Sequence, residues 1–208
     1  MTEQASTEQK HKEKMQKQKN RVDARIAEAQ EERGVMILLT GNGKGKSSSA
    51  FGMVMRSLGY GYKVGVVQFI KGKQLSGEEQ YLKEHYLEKH SPLVDFHQMG
   101  TGFTWNTQDR SGDIAAAEAT WAVAETLLTD DSYHLVVLDE LTYMVGYKYL
   151  DETRVLNALS SRPVNQTVVV TGRGGGDGLR ELADTVSELT DVKHAFKAGV
   201  KARQGVDF

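Results

Sequence analysis

The glycine-rich stretch at residues 40–48, TGNGKGKSS, constrains the fold of this chain more than any other feature. It follows an apolar run at residues 35–39 and precedes a helix-forming segment at residues 49–58. A glycine-rich loop in this context can turn successive backbone N–H groups into one hollow, and the helix N-terminus adds its positive dipole end. The stretch therefore predicts a strand, a phosphate-binding loop and a helix, with the rest of the chain arranged around them.

The same motif assigns nucleotide-binding roles to eight consecutive residues: Gly41, Asn42, Gly43, Lys44, Gly45, Lys46, Ser47 and Ser48. Lys46 would bring a full positive charge to the phosphates as a catalytic group, and the Ser47 hydroxyl would ligate Mg²⁺. The usual motif has a glycine five positions before its Gly-Lys pair, but here that position is Thr40. The loop is thus one residue short and should wrap phosphates differently from that of a standard nucleotide hydrolase; the alternative is a glycine turn without a ligand.

Strand-like and helix-like segments alternate along the rest of the chain. The expected strands are residues 35–40, 64–70, 93–99, 135–140, 167–171 and 186–189. The expected helices are 49–58, 78–88, 114–128, 141–161 with an interruption near Gly146, and 179–184. Alternation of this kind predicts a three-layer α/β fold with a mostly parallel central sheet, formed by one domain over residues 34–208.

Acidic and basic residues follow two of the expected strands. Asp139 and Glu140 end the apolar run 135–140 and resemble a Walker B element, whose carboxylates hold Mg²⁺ directly or through water. Mn²⁺ would suit the same oxygen ligands. Arg173 lies in the glycine-rich segment after 167–171, where it could meet a phosphate or a carboxylate, or be simply solvated.

Two large aromatic residues, Phe103 and Trp105, lie in a glycine-flanked segment after the expected strand 93–99. In open parallel sheets, ligands bind outside the carboxyl ends of the strands. The position favours contact with a substrate, while the alternative is that both rings are tucked into the core.

Residues 1–33 differ in composition, being rich in Lys, Glu and Gln. Met15, Val22 and Ile26 are spaced by seven and four residues, which places them on one helical face. The segment is either a solvated arm or a helix that orders on the main domain or on a second subunit, with residues 21–33 the part expected to order.

Composition excludes several classes of function. A net charge of −2 gives no electrostatic case for nucleic acid as the main partner, and the absence of cysteine excludes disulfides, thiolate catalysis and cysteine zinc sites. No apolar run approaches the ~20 residues of a membrane span, and the charged N-terminus lacks the apolar core of a signal peptide. We expect a soluble, cytoplasmic protein without a membrane partner.

Six short motifs together resemble one family, the ATP:cob(I)alamin adenosyltransferases of the CobA/BtuR/CobO type. They are GNGKGKS (41–47), VQFIKG (67–72), GFTW (102–105), LDELTYM (138–144), TGRG (171–174) and VKHAF (192–196). The resemblance runs in order from about Arg21 to Phe208. Two departures are that Ser47 and Ser48 replace the family's usual Thr-Thr, and that the segment 73–92 is longer than usual.

The resemblance implies a RecA-like fold, a homodimer, and transfer of the 5′-deoxyadenosyl group of ATP to cobalt. The corrinoid would be cobalamin, cobinamide or a related compound, reduced to Co(I) by a reductase or flavodoxin. The family's short loop holds ATP in reversed orientation, and triphosphate leaves intact. Phe103 and Trp105 resemble the family's hydrophobic wedge, which displaces the lower axial ligand of the corrinoid.

Two other functions remain compatible with the residues alone. One is an ordinary ATPase or kinase, which would release ADP, and the other is a nucleotide- or corrinoid-binding protein without turnover.

Overall fold

A computed structural model describes residues 3–70, 76–100 and 109–207 of the chain. The chain divides into two compact units, Met1–Glu32 and Arg33–Phe208. The first unit contains one long helix, α1 (Glu3–Glu28), so helical order extends well before residue 21, where we expected it to begin. Met15, Val22 and Ile26 on this helix are exposed.

The second unit is built on a parallel sheet of six strands. They are β1 (Met36–Thr40), β2 (Val64–Gln68), β3 (Val94–Gln98), β4 (Leu135–Asp139), β5 (Thr167–Thr171) and β6 (Thr185–Glu188). Their order across the sheet is β3-β2-β4-β5-β1-β6, and every pairing is parallel. Strand β5 thus separates the glycine-loop strand β1 from the acidic strand β4, and all six strands send their carboxyl ends to the same edge.

Helices connect the strands and cover the sheet. They are α2 (Lys46–Gly59), α3 (Gly77–Leu82), α4 (Arg110–Thr129), α5 (Leu141–Gly146), α6 (Glu152–Ser160) and α7 (Gly176–Leu182). A π-helical segment, Lys83–Leu87, continues α3, and a 3₁₀ turn, Ala195–Ala198, lies near the C-terminus. The expected α/β class with a parallel sheet is confirmed.

Two apolar cores lie on opposite faces of the sheet. Alternate strand residues such as Val66, Val137 and Val169 pack in one core with Phe51 and Val54 of α2. Their neighbours Val67, Leu138 and Val170 pack in the other core with residues of α4, α5 and α6, including Trp121. This alternation is the period-2 geometry of strands buried on both sides, and it explains their nearly continuous apolar sequences.

The expected helix 141–161 is interrupted near Gly146, as predicted, and forms two helices. The first, α5, ends at Gly146, and Lys148 then takes a left-handed conformation with φ of 57°. Asp151 starts α6, because its side chain accepts a hydrogen bond from the backbone N–H of Arg154 at 2.8 Å. The longer segment 73–92 contains α3 and the π-helical turn, which together match the expected helix 78–88 closely.

Across the described residues, no helix is both long enough and apolar enough to cross a membrane.

Candidate active site

The glycine-rich loop joins the end of β1 at Thr40 to the start of α2 at Lys46, as predicted. Gly41 and Gly45 have φ of 94° and 109°, which side-chain-bearing residues rarely adopt. A Cβ atom on Gly43 would lie 2.8 Å from the carbonyl oxygen of Leu189, and the Gly43 N–H donates to that oxygen at 2.7 Å. Leu189, the residue after β6, therefore packs directly against the loop. Because a side chain at position 43 would clash with it, this position requires glycine.

The Lys46 side chain lies inside the curl of this loop. Its Nζ donates hydrogen bonds of 2.9 Å to the carbonyl oxygens of both Gly41 and Gly43, and the residue is only 8% exposed. Burial lowers the pKa of Lys46, an effect that nearby Glu140 opposes and Arg173 reinforces. The ammonium group is therefore within electrostatic range of the acidic end of β4.

Asp139 ends β4 and is 3% exposed. Its Oδ1 accepts a hydrogen bond of 2.7 Å from the Thr171 hydroxyl on β5, and its Oδ2 accepts one of 3.0 Å from the Gln68 amide on β2. Two neutral donors on neighbouring strands thus hold this carboxylate.

Glu140 leaves the strand in a left-handed conformation with φ of 61°, which is uncommon for a residue other than glycine. Its backbone N–H donates to the Thr171 hydroxyl oxygen at 3.0 Å. Its carboxylate oxygen Oε2 is buried and has no hydrogen-bond partner among the described residues. Burial, with a smaller effect from Asp139, raises the pKa of Glu140 to about 7, while Lys46 and Arg173 oppose the rise.

The donor set suits Mg²⁺, which is usually held by one or two carboxylates together with substrate phosphates. A buried carboxylate oxygen without a partner, as in Glu140, is the group that a cation would satisfy. Ser47 lies partly buried in the first turn of α2, beside Lys46. Within the described residues, no group of three His, Cys, Asp or Glu is arranged so that it could hold a metal ion.

The remaining predicted nucleotide residues are more open. Asn42, Lys44 and Ser48 are exposed. Lys44 forms a salt bridge with the carboxylate of Asp207 near the C-terminus.

Arg173 is exposed, and its charge reaches Lys46, Glu140 and Asp191. Its backbone is fixed, because the Thr142 hydroxyl donates to the Arg173 carbonyl oxygen at 2.9 Å. Thr142 also lies so close to Gly172 that a Cβ there would be 2.0 Å from the hydroxyl oxygen. The backbone that carries Arg173 is therefore closely packed against Thr142, while its side chain is exposed beside the site.

Phe103 and Trp105 lie outside the described residues, so their predicted role stays a prediction. The chain enters their segment from β3, where the Met99 N–H donates to the Gln68 carbonyl oxygen at 2.9 Å. It leaves the segment at α4, whose first residue, Arg110, lies over the ring of Tyr149 at 5.2 Å. Both described flanks belong to the carboxyl edge of the sheet.

Sequence reasoning missed Gln68, Gln98 and Thr171 as parts of the site. Each is the last residue of its strand, and the Gln98 amide donates to the Gln68 side-chain oxygen at 2.8 Å. A signal was present in the sequence, because a polar residue ends each of several strands whose other residues are largely apolar. Which of these residues face one another depends on strand order and register, which the sequence alone does not give.

Comparison with known proteins agrees with the site. The family model described as "ATP:corrinoid adenosyltransferase BtuR/CobO/CobP" matches residues 32–208. A corrinoid adenosyltransferase of Pseudomonas aeruginosa is 55% identical over 208 residues, covering all of both chains. The corrinoid adenosyltransferase CobA of Salmonella typhimurium is 52% identical, covering 97% of this chain and 100% of that protein. A solved structure, the Pyrococcus furiosus Hef helicase domain, is similar at a TM-score of 0.41 and 14% identity, covering 83% of this chain and 38% of that one. The family match and the two relatives show that this chain belongs to the ATP:corrinoid adenosyltransferase family.

Proposed function

We propose that this protein transfers the 5′-deoxyadenosyl group of ATP to the Co(I) ion of a corrinoid and releases intact triphosphate. The observation that carries the proposal is the meeting of a shortened glycine loop, its buried Lys46, and the Asp139–Glu140 pair at one edge of the sheet. Family membership supports the substrates, ATP and a corrinoid such as cobalamin or cobinamide.

The reaction needs no nucleophilic side chain. The electron pair of Co(I) forms the new bond to the 5′ carbon of the ribose, and the bond between that carbon and the triphosphate oxygen breaks with its electrons going to oxygen. The corrinoid therefore supplies the reactive atom, and the protein supplies orientation and electrostatic stabilisation.

Stabilisation of the departing triphosphate is the task of the loop. Lys46 would exchange its two carbonyl acceptors for phosphate oxygens, and free N–H groups at the start of α2 would bind them as well. Glu140 and Ser47 would hold Mg²⁺ or Mn²⁺, with Asp139 supporting the metal through water or a hydrogen bond. The metal, when bound, neutralises phosphate charge and improves the leaving group. Arg173 would bind the same phosphates.

The corrinoid side of the site would be formed by Phe103 and Trp105. The described end of β3 and start of α4 support a role in which the two rings would pack below a corrin and displace its lower ligand. We further propose that a reductase or flavodoxin supplies the electron that forms Co(I), and that the protein acts as a homodimer.

The decisive experiment identifies the products. Purified protein is mixed with Mg-ATP and a corrinoid reduced chemically to Co(I), absorbance follows the cobalt, and the phosphate product is separated by ion-exchange chromatography. We expect adenosylated corrinoid and triphosphate in equal amounts. Release of ADP and phosphate, or binding without turnover, would overturn the proposal.

A further inference from the structure

Four strand-terminal side chains, those of Gln98, Gln68, Asp139 and Thr171, lie in one row across the carboxyl ends of their strands. Gln98 and Asp139 are both register partners of Gln68, on β3 and β4 respectively. Thr171 follows Val170, which pairs with Leu138 of β4, so it extends the row onto β5. The residues two positions earlier, such as Val66 and Val137, pack in the core with α2, and the row therefore lies on the face that α2 covers.

Hydrogen bonds run along the whole row. The Gln98 amide donates to the side-chain oxygen of Gln68 at 2.8 Å and to Glu79 Oε2 at 2.9 Å. The Gln68 amide donates to Asp139 Oδ2, and the Thr171 hydroxyl donates to Asp139 Oδ1. Gln68 is 6% exposed and Thr171 is fully buried, so water cannot readily replace these donors.

The two donors hold Asp139 without neutralising it. Hydrogen bonds from neutral groups stabilise a carboxylate and fix its orientation while leaving its charge in place. A salt bridge from a lysine or arginine would instead have neutralised the charge of Asp139. The negative charge of Asp139 consequently remains available to Lys46 and to a cation bound by Glu140.

Thr171 has a second task that no other member of the row shares. Its hydroxyl oxygen accepts the backbone N–H of Glu140 while its proton goes to Asp139. Glu140 has the left-handed conformation described above, which is costly for a residue with a side chain and needs such support. One hydroxyl thus orients both acidic residues.

We propose that Thr171 and Gln68 are positioning residues of the metal-nucleotide site. Thr171 orients both Asp139 and Glu140, whereas Gln68 orients Asp139 alone. This inference rests on the proposed function for the identity of the ligand, Mg-ATP. It adds two side chains that would act through Asp139 and Glu140 and not by binding ATP or the metal themselves.

The test compares Thr171→Val, which keeps the shape but removes the hydroxyl, with Thr171→Ser, which restores it. Binding of Mn²⁺ in the presence of ATP is measured from the EPR signal of the free ion, after subtraction of the Mn²⁺ that the same ATP binds without protein, and the measurement requires no turnover. Loss of an orienting partner of a metal ligand typically costs about 10–100-fold in affinity, and we expect this loss for T171V. We expect T171S to bind Mn²⁺ nearly as well as the wild type. In turnover assays, T171V should raise the Mg²⁺ concentration for half-maximal rate by a larger factor than it lowers kcat at saturating Mg²⁺.

Two matched controls separate positioning from general destabilisation. Thr167→Val makes the same change at the opposite end of β5, where the hydroxyl only accepts the Val35 N–H at 3.4 Å, and it should leave Mn²⁺ affinity unchanged. Gln68→Met should weaken Mn²⁺ binding more than Gln98→Met, because Gln98 does not touch Asp139. The inference is wrong if T171V lowers the melting temperature but keeps wild-type Mn²⁺ affinity, or if T171S is as defective as T171V. If Mn²⁺ affinity depends on the Thr171 hydroxyl but the wild type releases ADP, the proposed function alone is contradicted.

Discussion

Lys46 and Glu140 are oppositely charged groups in one site, and burial disfavours the charged form of both. It lowers the pKa of the lysine and raises the pKa of the acid, although each charge partly offsets the shift of the other. Groups arranged in this way are typical of sites that bind a charged ligand, because phosphates and a metal ion restore the partners that water would provide. The predictions for single residues therefore test what each of these charges contributes to catalysis and to metal binding.

Lys46→Ala should lower kcat by a factor on the order of 10²–10³, which is the usual loss for one group that stabilises developing charge. The comparison variant is Lys44→Ala, whose side chain pairs with Asp207 and should matter less. Turnover is measured with Co(I) corrinoid and Mg-ATP, and circular dichroism checks the fold. Equal losses in the two variants would remove Lys46 from its special role.

Glu140→Ala should weaken the metal site more than Asp139→Asn does. The Glu140 oxygen Oε2 is free to bind a cation, whereas both Asp139 oxygens already accept hydrogen bonds. The measurement is the Mg²⁺ dependence of turnover for each variant. Greater sensitivity of the Asp139 variant would reverse the two assignments.

Glu140 should also make the metal-free protein less stable as the pH rises. Its pKa is about 7 in the folded protein against 4.5 in the unfolded chain, so the folded state keeps a proton that the unfolded state loses between these values. The free energy of unfolding therefore falls as pH rises through this window and then levels off, by about 1–3 kcal/mol.

Glu140→Gln removes this titration and isolates the effect. With EDTA present and no nucleotide, the melting temperature of E140Q relative to wild type should be higher at pH 8 than at pH 5. A difference between the two proteins that is the same at both pH values would contradict the raised pKa.

At the scale of elements, the strands, the glycine loop and most helices were predictable, because parallel strands buried on both faces give apolar runs that few other structures produce. The break between α5 and α6 was predictable near Gly146, whereas the left-handed Lys148 and the Asp151 cap that define it were not. The row from Gln98 to Thr171 was not predictable, since its members come from four strands whose order and register only the folded sheet defines. Lys46, Asp139 and Glu140 could be singled out from the sequence because each belongs to a local motif.

The segment between β3 and α4 carries the prediction for Phe103 and Trp105. If both rings displace the lower ligand of the corrinoid, replacing either with Ala should slow the reaction that starts from Co(II) much more than the reaction that starts from chemically prepared Co(I). ATP affinity should hardly change. If they are core residues instead, truncation should leave a cavity that costs roughly 3–5 kcal/mol and lower the melting temperature. A large fall in the melting temperature, with the rates from Co(II) and from Co(I) reduced by the same factor, would rule out the wedge.

At the scale of the whole molecule, the open question is the task of the first unit. The family match begins at residue 32 and the second unit begins at Arg33, so a complete sheet and glycine loop lie after α1. Arg33 belongs to the second unit, and its guanidinium donates to Asp184 at 2.6 Å. A truncation that tests α1 should therefore spare Arg33.

Deletion of residues 1–20 should change activity little, whereas deletion of residues 1–32 should impair turnover of the corrinoid. The reason is the apolar stripe of Val22 and Ile26, which are exposed on α1. Burial of these two side chains over the site or on a second subunit would be stabilising. Rates with cobalamin are compared for both truncations, together with ATP affinity, which the loop in the second unit should preserve. The full-length double variant V22S/I26S separates the stripe from helix length, and it should behave like the longer deletion. Equal activity of the two truncations, or wild-type rates for V22S/I26S, would mean that α1 is a solvated arm without a part in the reaction.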